Sequence, residues 1–202
     1  MIKNIIFDMG RVLIQFDQDY FIEKIGITGP EDKELLKRNV FYSLEWSRMD
    51  RGSLTDEEAC QIMCKKLPER LHNAVELLTC KWDRPIVPIE GMADLVKELK
   101  EKGYKIYLLS NASLRQRTYW DKIPGSEYFD GTVISAEEKL VKPQPEIYRL
   151  ICDRFDLVPS ECVFIDDATF NCEGAFYCGI NPIVFHGDVN ETREILKEMG
   201  VL

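Results

Sequence analysis

The sequence predicts an α/β fold, a doubly wound parallel sheet interrupted after its first strand by a block of helices. Three observations lead there. Five short apolar runs punctuate the chain, amphipathic helical stretches alternate with the later runs, and the interval between the first run and the second has helical patterning with no convincing strand. A chain of 202 residues suffices for one core domain carrying a modest insertion.

The first run, Ile2 to Phe7, reads as a strand buried on both faces, and it ends in the turn Asp8-Met9-Gly10-Arg11. Ligands in open α/β sheets collect at the carboxyl ends of the strands, so Asp8 is expected at the reactive edge. Lys105 to Ser110, Gly131 to Ser135, Cys162 to Asp166 and Pro182 to Phe185 supply the other strands. Between them, helices are expected over Gly91 to Lys102 with Gly103 as C-cap, Pro145 to Phe155, Phe170 to Cys178 before Gly179, and Val189 to Met199. Residues 1–14 and 89–202 are therefore assigned to the core, and residues 15–88 to an all-helical cap whose exit is marked by Pro85 and Pro88. Inside that cap, Thr55-Asp56-Glu57-Glu58 is a capping box opening a helix to about Leu67.

Composition narrows the classes of partner. With 26 basic and 35 acidic residues the net charge is −9, and no basic stripe is present to replace phosphate counterions, which argues against nucleic acid. Asp8 breaks the N-terminal apolar run too early for a signal segment or a membrane span. Seven cysteines without a C-x-x-C pair read as reduced thiols, and a cytoplasmic location is expected. Cys60 and Cys64 share a helix face without a histidine to complete a metal site, and His72 and His186 read as structural.

Four strand ends bring polar residues to one edge of the sheet. Asp8 follows the first strand, Ser110-Asn111 ends the second, Lys142 precedes the Pro145 helix, and Asp166-Asp167 follows Val163-Phe164-Ile165. In this order and context, Phe7-Asp8-Met9-Gly10-Arg11-Val12-Leu13, Leu109-Ser110-Asn111, Lys142-Pro143 and Phe164-Ile165-Asp166-Asp167 resemble the four motifs of the haloacid dehalogenase superfamily, in the branch with a helical cap after the first motif. The resemblance covers essentially the whole chain. Within the branch, the chain is similar to bacterial phosphatases of sugar phosphates such as glucose 1-phosphate, which also have glycine two residues after the nucleophile.

The resemblance implies a phosphatase with Mg²⁺ as cofactor and a small phosphorylated metabolite as partner. Asp8 would be the nucleophile, with Lys142 supporting it. Asp8, the Gly10 carbonyl and Asp167 would hold the cation, with Asp166 either a ligand or an orienting group. Ser110, the Asn111 amide, Lys142 and Arg11 would contact the phosphate or the substrate. Two other readings stay open: a metal-independent 2-haloacid dehalogenase, and a degenerate member that binds a phosphometabolite or a protein. Gly10 stands where many relatives have an acid that serves the leaving group. Its absence implies another proton donor, a good leaving group such as that of a sugar 1-phosphate or an acyl phosphate, or weak activity. The cap acids Asp17, Glu45 and Asp50 are the candidate donors, and Trp46, Arg48, Asp50 and Arg51 are expected to face the pocket from a cap loop.

Overall fold

The five apolar runs form one parallel sheet. The computed structural model describes residues 1–81 and 86–202, so the exit expected at Pro85 lies outside the described residues. Strands β1 (Asn4–Phe7), β2 (Lys105–Ser110), β3 (Gly131–Ile134), β4 (Cys162–Asp166) and β5 (Asn181–Val184) lie in the order β3-β2-β1-β4-β5. All four pairings are parallel, with Phe7 opposite both Leu108 of β2 and Ile165 of β4. The chain first winds outward from β1 through β2 to β3, then returns to the other side of β1 for β4 and β5.

Helices cover both faces, as a doubly wound sheet requires. Between β1 and β2 come α1 (Gln18–Lys24), α2 (Pro30–Leu36), a π-helical turn (Lys37–Phe41), α3 (Leu44–Asp50), α4 (Asp56–Cys64), α5 (His72–Thr79) and α6 (Met92–Glu101). After β3 come α7 (Ser135–Glu138) and α8 (Pro145–Arg154), and β4 and β5 are followed by α9 (Thr169–Tyr177) and α10 (Val189–Glu198). Alternate residues of β1 feed opposite layers. Ile5 and Phe7 pack with Leu95, Val96 and Leu196 of α6 and α10, whereas Ile6 joins Ile147, Tyr148 and Ala175 of α8 and α9. This two-sided burial is why the strands read as apolar runs rather than alternating ones.

Helices α1 to α5 have a core of their own, built from Phe21, Ile22, Leu36, Val40, Met63, Leu71, Val75 and Leu78. The chain segments entering and leaving them pair briefly: the Gln15 amide donates to the Val87 carbonyl at 2.8 Å and the Ile89 amide to the Leu13 carbonyl at 3.0 Å. The Thr55–Glu58 capping box is formed in both directions, so α4 begins where its sequence signal places it. It stops at Cys64 instead of reaching Leu67, because the Lys66 and Leu67 amides bond three residues back and Pro68 has no amide to continue the ladder. Residues 111–130, which carry no helical period, fold as three 3₁₀ turns, Leu114–Thr118, Trp120–Lys122 and Ser126–Tyr128.

The inserted helices touch the core where α3 ends. Ser135 Oγ donates to the Asp50 carbonyl at 2.5 Å and accepts from the Ala112 amide at 2.9 Å, Lys139 Nζ donates to the Gly52 carbonyl, and Arg115 of the core loop meets Asp56 of α4 at 2.5 Å. Gly52 has φ +67°, and a Cβ there would lie 2.1 Å from the Ala136 carbonyl oxygen. The Gly52→Ala variant should therefore lose more stability than the left-handed backbone cost of about 1–2 kcal/mol alone. Gly103→Ala, with φ +93° and nothing within 4 Å of its Cβ, should lose no more than that cost. Urea unfolding of the two variants side by side measures the difference.

Candidate active site

Because the strand order reverses beside β1, the crevice at the carboxyl ends of β1 and β4 is the switch point where such sheets bind ligands. The register continues into the loops: the Asp8 amide donates to the Ile165 carbonyl at 2.9 Å, which sets Asp8 beside Asp166. Into this pair comes Lys142 from the loop before α8. Its ammonium lies 2.8 Å from Asp8 Oδ1 and 2.7 Å from Asp166 Oδ2, and its side chain is 1% exposed.

An ammonium at this depth needs every partner in place, since breaking a buried ion pair leaves an uncompensated charge. Asp166 accepts from the Ala168 amide at 2.8 Å and from Asn171 Nδ2 at 3.0 and 3.1 Å, as well as from Lys142. Asn111 clamps the lysine's backbone from both sides, accepting from the Lys142 amide at 2.8 Å and donating to its carbonyl at 3.0 Å. The Lys142 ammonium also sits 5.3 Å from the centre of the Phe164 ring.

Electrostatics follow from this packing. Burial pushes the Asp8 carboxyl up to about 7, with Lys142 pulling it down and Asp166 adding to the rise. Burial works against the Lys142 ammonium, but Asp8 and Asp166 overcome it and hold the ammonium above its ordinary value. Asp167 is raised as well, first by burial and then by Asp166, with Arg11 opposing. Oxygens of Asp8, Asp166 and Asp167 all lie within 4.8 Å of one another.

The other residues singled out in the sequence take varied places. Arg11 adopts the left-handed φ of +60°, lines the cavity mouth, donates through Nε to the Phe16 carbonyl at 3.2 Å and approaches Asp167 Oδ2 at 3.7 Å. Its side chain remains half-exposed. The backbone amides of Val12, Leu13 and Ile14 converge on the Met9 carbonyl, so the Gly10 carbonyl takes no part in those turn hydrogen bonds. A side chain would be tolerated at position 10, where a Cβ would meet only the Phe16 Cβ at 3.8 Å. Ser110 ends β2, is 1% exposed and is not among the residues lining the cavity. The four residues expected on a cap loop lie instead on helix α3 and its C-cap Arg51; Trp46 and Asp50 line the pocket, and Arg48, on the exposed side of the helix, and Arg51 do not.

Above the carboxylates lies a cavity of about 870 Å³ between sheet edge and cap. Phe16, Phe21, Trp46 and Met49 give it an apolar wall, and Arg115, Tyr119 and Lys122 a polar one. Sequence reasoning missed that polar wall, since the 3₁₀ turns carrying it have no periodicity. It missed Asn171 too, whose only signal is an amide in the first turn of the helix after Asp166-Asp167.

This geometry has a known setting. Residues 2–179 match the haloacid dehalogenase-like hydrolase family. The chain belongs to that family. It is 26% identical over 190 residues to the D-ribitol-5-phosphate phosphatase of Bacteroides thetaiotaomicron, covering 85% of each chain. It is 25% identical over 208 residues to (S)-2-haloacid dehalogenase 2 of a Pseudomonas species, covering 98% of this chain and 88% of the relative. A crystal structure of a family enzyme from B. thetaiotaomicron, in complex with magnesium and inorganic phosphate, superposes with a TM-score of 0.70 at 27% identity, over 95% of this chain and 99% of that one. Two longer mammalian relatives, the bifunctional epoxide hydrolases 2 of mouse and rat, are spanned over only 31% and 33% of their length.

Replacing Lys142 tests the buried cluster independently of any activity. Lys142→Met leaves Asp8 and Asp166 buried without their cation, and the expected loss of stability is about 3–5 kcal/mol at pH 8. Asp8, already raised by burial, moves further up in this variant. The native state then binds more protons than the unfolded chain, so stability falls as pH rises and the loss should shrink by pH 5. Urea unfolding at both pH values provides the comparison.

Proposed function

We propose that the chain is a Mg²⁺-dependent phosphatase that hydrolyses a small phosphorylated metabolite, with a sugar phosphate as the candidate substrate, through an aspartyl-phosphate on Asp8. The observation that carries this reading is the ammonium of Lys142 set between Asp8 and Asp166, with Asp167 completing a compact group of carboxylate oxygens. Three carboxylates face one buried ammonium there, with the Arg11 guanidinium further off at 3.7 Å from Asp167. An all-oxygen donor set of that charge fits a hard divalent cation.

Asp8, Asp167 and the Gly10 carbonyl would hold the cation. Asp166, whose oxygens are already engaged by Lys142, Asn171 and the Ala168 amide, is assigned the orienting role. When bound, such a cation supplies the positive charge that lets an anionic nucleophile approach an anionic phosphoryl group. Lys142 lowers the proton affinity of Asp8 in a buried site that otherwise favours its neutral form. An Asp8 oxygen then attacks phosphorus as the bond to the leaving oxygen breaks, and water later opens the aspartyl-phosphate and frees phosphate. Ser110, the Asn111 amide and Lys142 are assigned to the non-bridging oxygens. The clamp from the Asn111 side chain onto the Lys142 backbone adds a second role, fixing the lysine's loop.

A metal-independent dehalogenase has no comparable use for this site. Lys142 offsets only part of the charge of the three carboxylates, and the remainder favours a further cation among them. Asp8→Asn should lower kcat on p-nitrophenyl phosphate by roughly 10³-fold or more. Rapid acid quenching of turnover with a phosphate-labelled substrate should trap protein-bound label that is stable in acid and released by base, as an acyl phosphate is, in the parent protein and not in the variant. Chelation should abolish turnover and added Mg²⁺ should restore it. Retained turnover in either test, or halide release from a 2-haloacid in the presence of chelator, would sink the reading.

A further inference from the structure

The leaving oxygen of an alkyl phosphate departs as a strong base unless it receives a proton, and Gly10 has no side chain to give one. The cavity offers few substitutes. Among the described residues that line it, the carboxylic acids are Asp8, Asp50 and Asp167, and two of these belong to the oxygen cluster. Asp17 is spent as the N-cap of α1, where it accepts from the Tyr20 amide at 3.1 Å, and Glu45 is paired with Lys66 at 2.6 Å; neither lines the cavity.

We infer that Asp50, at the end of α3, is the proton donor to the leaving oxygen and the acceptor of the proton from the attacking water. This rests on the phosphatase reading above. In-line displacement puts Asp8 and the departing oxygen on opposite sides of phosphorus, and the two carboxyls line the one cavity from different elements, Asp8 from the end of β1 and Asp50 from the end of α3. Water in the second step attacks opposite Asp8, on the side the leaving group has vacated, so one carboxyl serves both steps. In the first, the Asp50 O–H bond breaks and its proton passes to the leaving oxygen as the phosphorus–oxygen bond opens. In the second, the Asp50 carboxylate takes a proton from water as the water oxygen bonds to phosphorus and Asp8 is released, which restores the starting state.

The surroundings suit the task. Asp50 makes no ion pair among the described residues, and the nearby cation Arg115 is occupied by Asp56 at 2.5 Å. The end of α3 is fixed to the core through the Ser135 hydroxyl on the Asp50 carbonyl. Burial pushes the Asp50 carboxyl up to about 8, reinforced by Asp56 and Asp8 and opposed by Trp46 and Lys142.

The test compares Asp50→Asn with the parent protein on a simple alkyl phosphomonoester and on p-nitrophenyl phosphate, whose phenolate leaves without a proton. General acid–base help is worth about 10² to 10⁴ in rate. The ratio of alkyl to aryl kcat/KM should therefore fall by about 10² or more, and Asp50→Glu should recover part of it. Because both substrates are read on one preparation, a misfolded fraction cancels from the ratio. An unchanged ratio, whether both rates fall together or neither falls, overturns the role of Asp50. A parent protein that turns over neither phosphate overturns the phosphatase reading instead.

Discussion

A lysine ammonium sealed between two carboxylates is expensive to build, and much of the carboxyl edge of the sheet can be understood as the means of building it. Removing three charged groups from water costs several kcal/mol per ion unless attraction and hydrogen bonds offset the loss. Here each partner is held from a different part of the chain. Asp8 comes from β1, Asp166 from β4, Lys142 from the loop before α8, and Asn111 and Asn171 from the segments after β2 and β4. The sheet's parallel register brings these distant segments to one edge, and the hydrogen bonds between them fix the loops that the register alone leaves free.

The same edge explains why the inserted helices sit where they do. The cluster carries more negative than positive charge, and the cavity lies directly over it, lined by Asp8 and Asp167 from the sheet edge and by Trp46, Met49 and Asp50 from α3. The joint is specific. Ser135 links the Ala112 amide to the Asp50 carbonyl, Gly52 packs against the backbone of α7, and Arg115 reaches across to Asp56. These contacts hold the end of α3, and with it Asp50, over the carboxylates of the core. A residue far from Asp8 in any reading of the turn after β1 thus becomes part of the same chamber.

The strands were legible because burial on both faces writes itself into the chain as apolar runs bounded by turn residues, and the later helices because their apolar spacing and glycine stops are local signals. The strand-end positions of Asp8, Ser110 and Asp166-Asp167 followed from the same logic, whereas Lys142 arrives from the loop between α7 and α8. Sequence went less far where local signals were absent. The 3₁₀ turns of residues 111–130 have no period, so the polar wall carrying Arg115 and Tyr119 was not anticipated, and nothing short of the fold reveals that Asn171 braces Asp166.

What the sequence determined by itself is the sheet, the inserted helices and the identity of the acidic and basic groups at its edge, since hydrophobic periodicity and capping are encoded locally. What only the tertiary structure decided is which of those groups meet. Arg11 turns toward Asp167, Asn111 grips the Lys142 backbone, and Asp50, alone of the three cap acids considered, faces the cavity. Side-chain direction in loops and at helix ends is set by packing between distant segments, and a linear pattern carries no record of it.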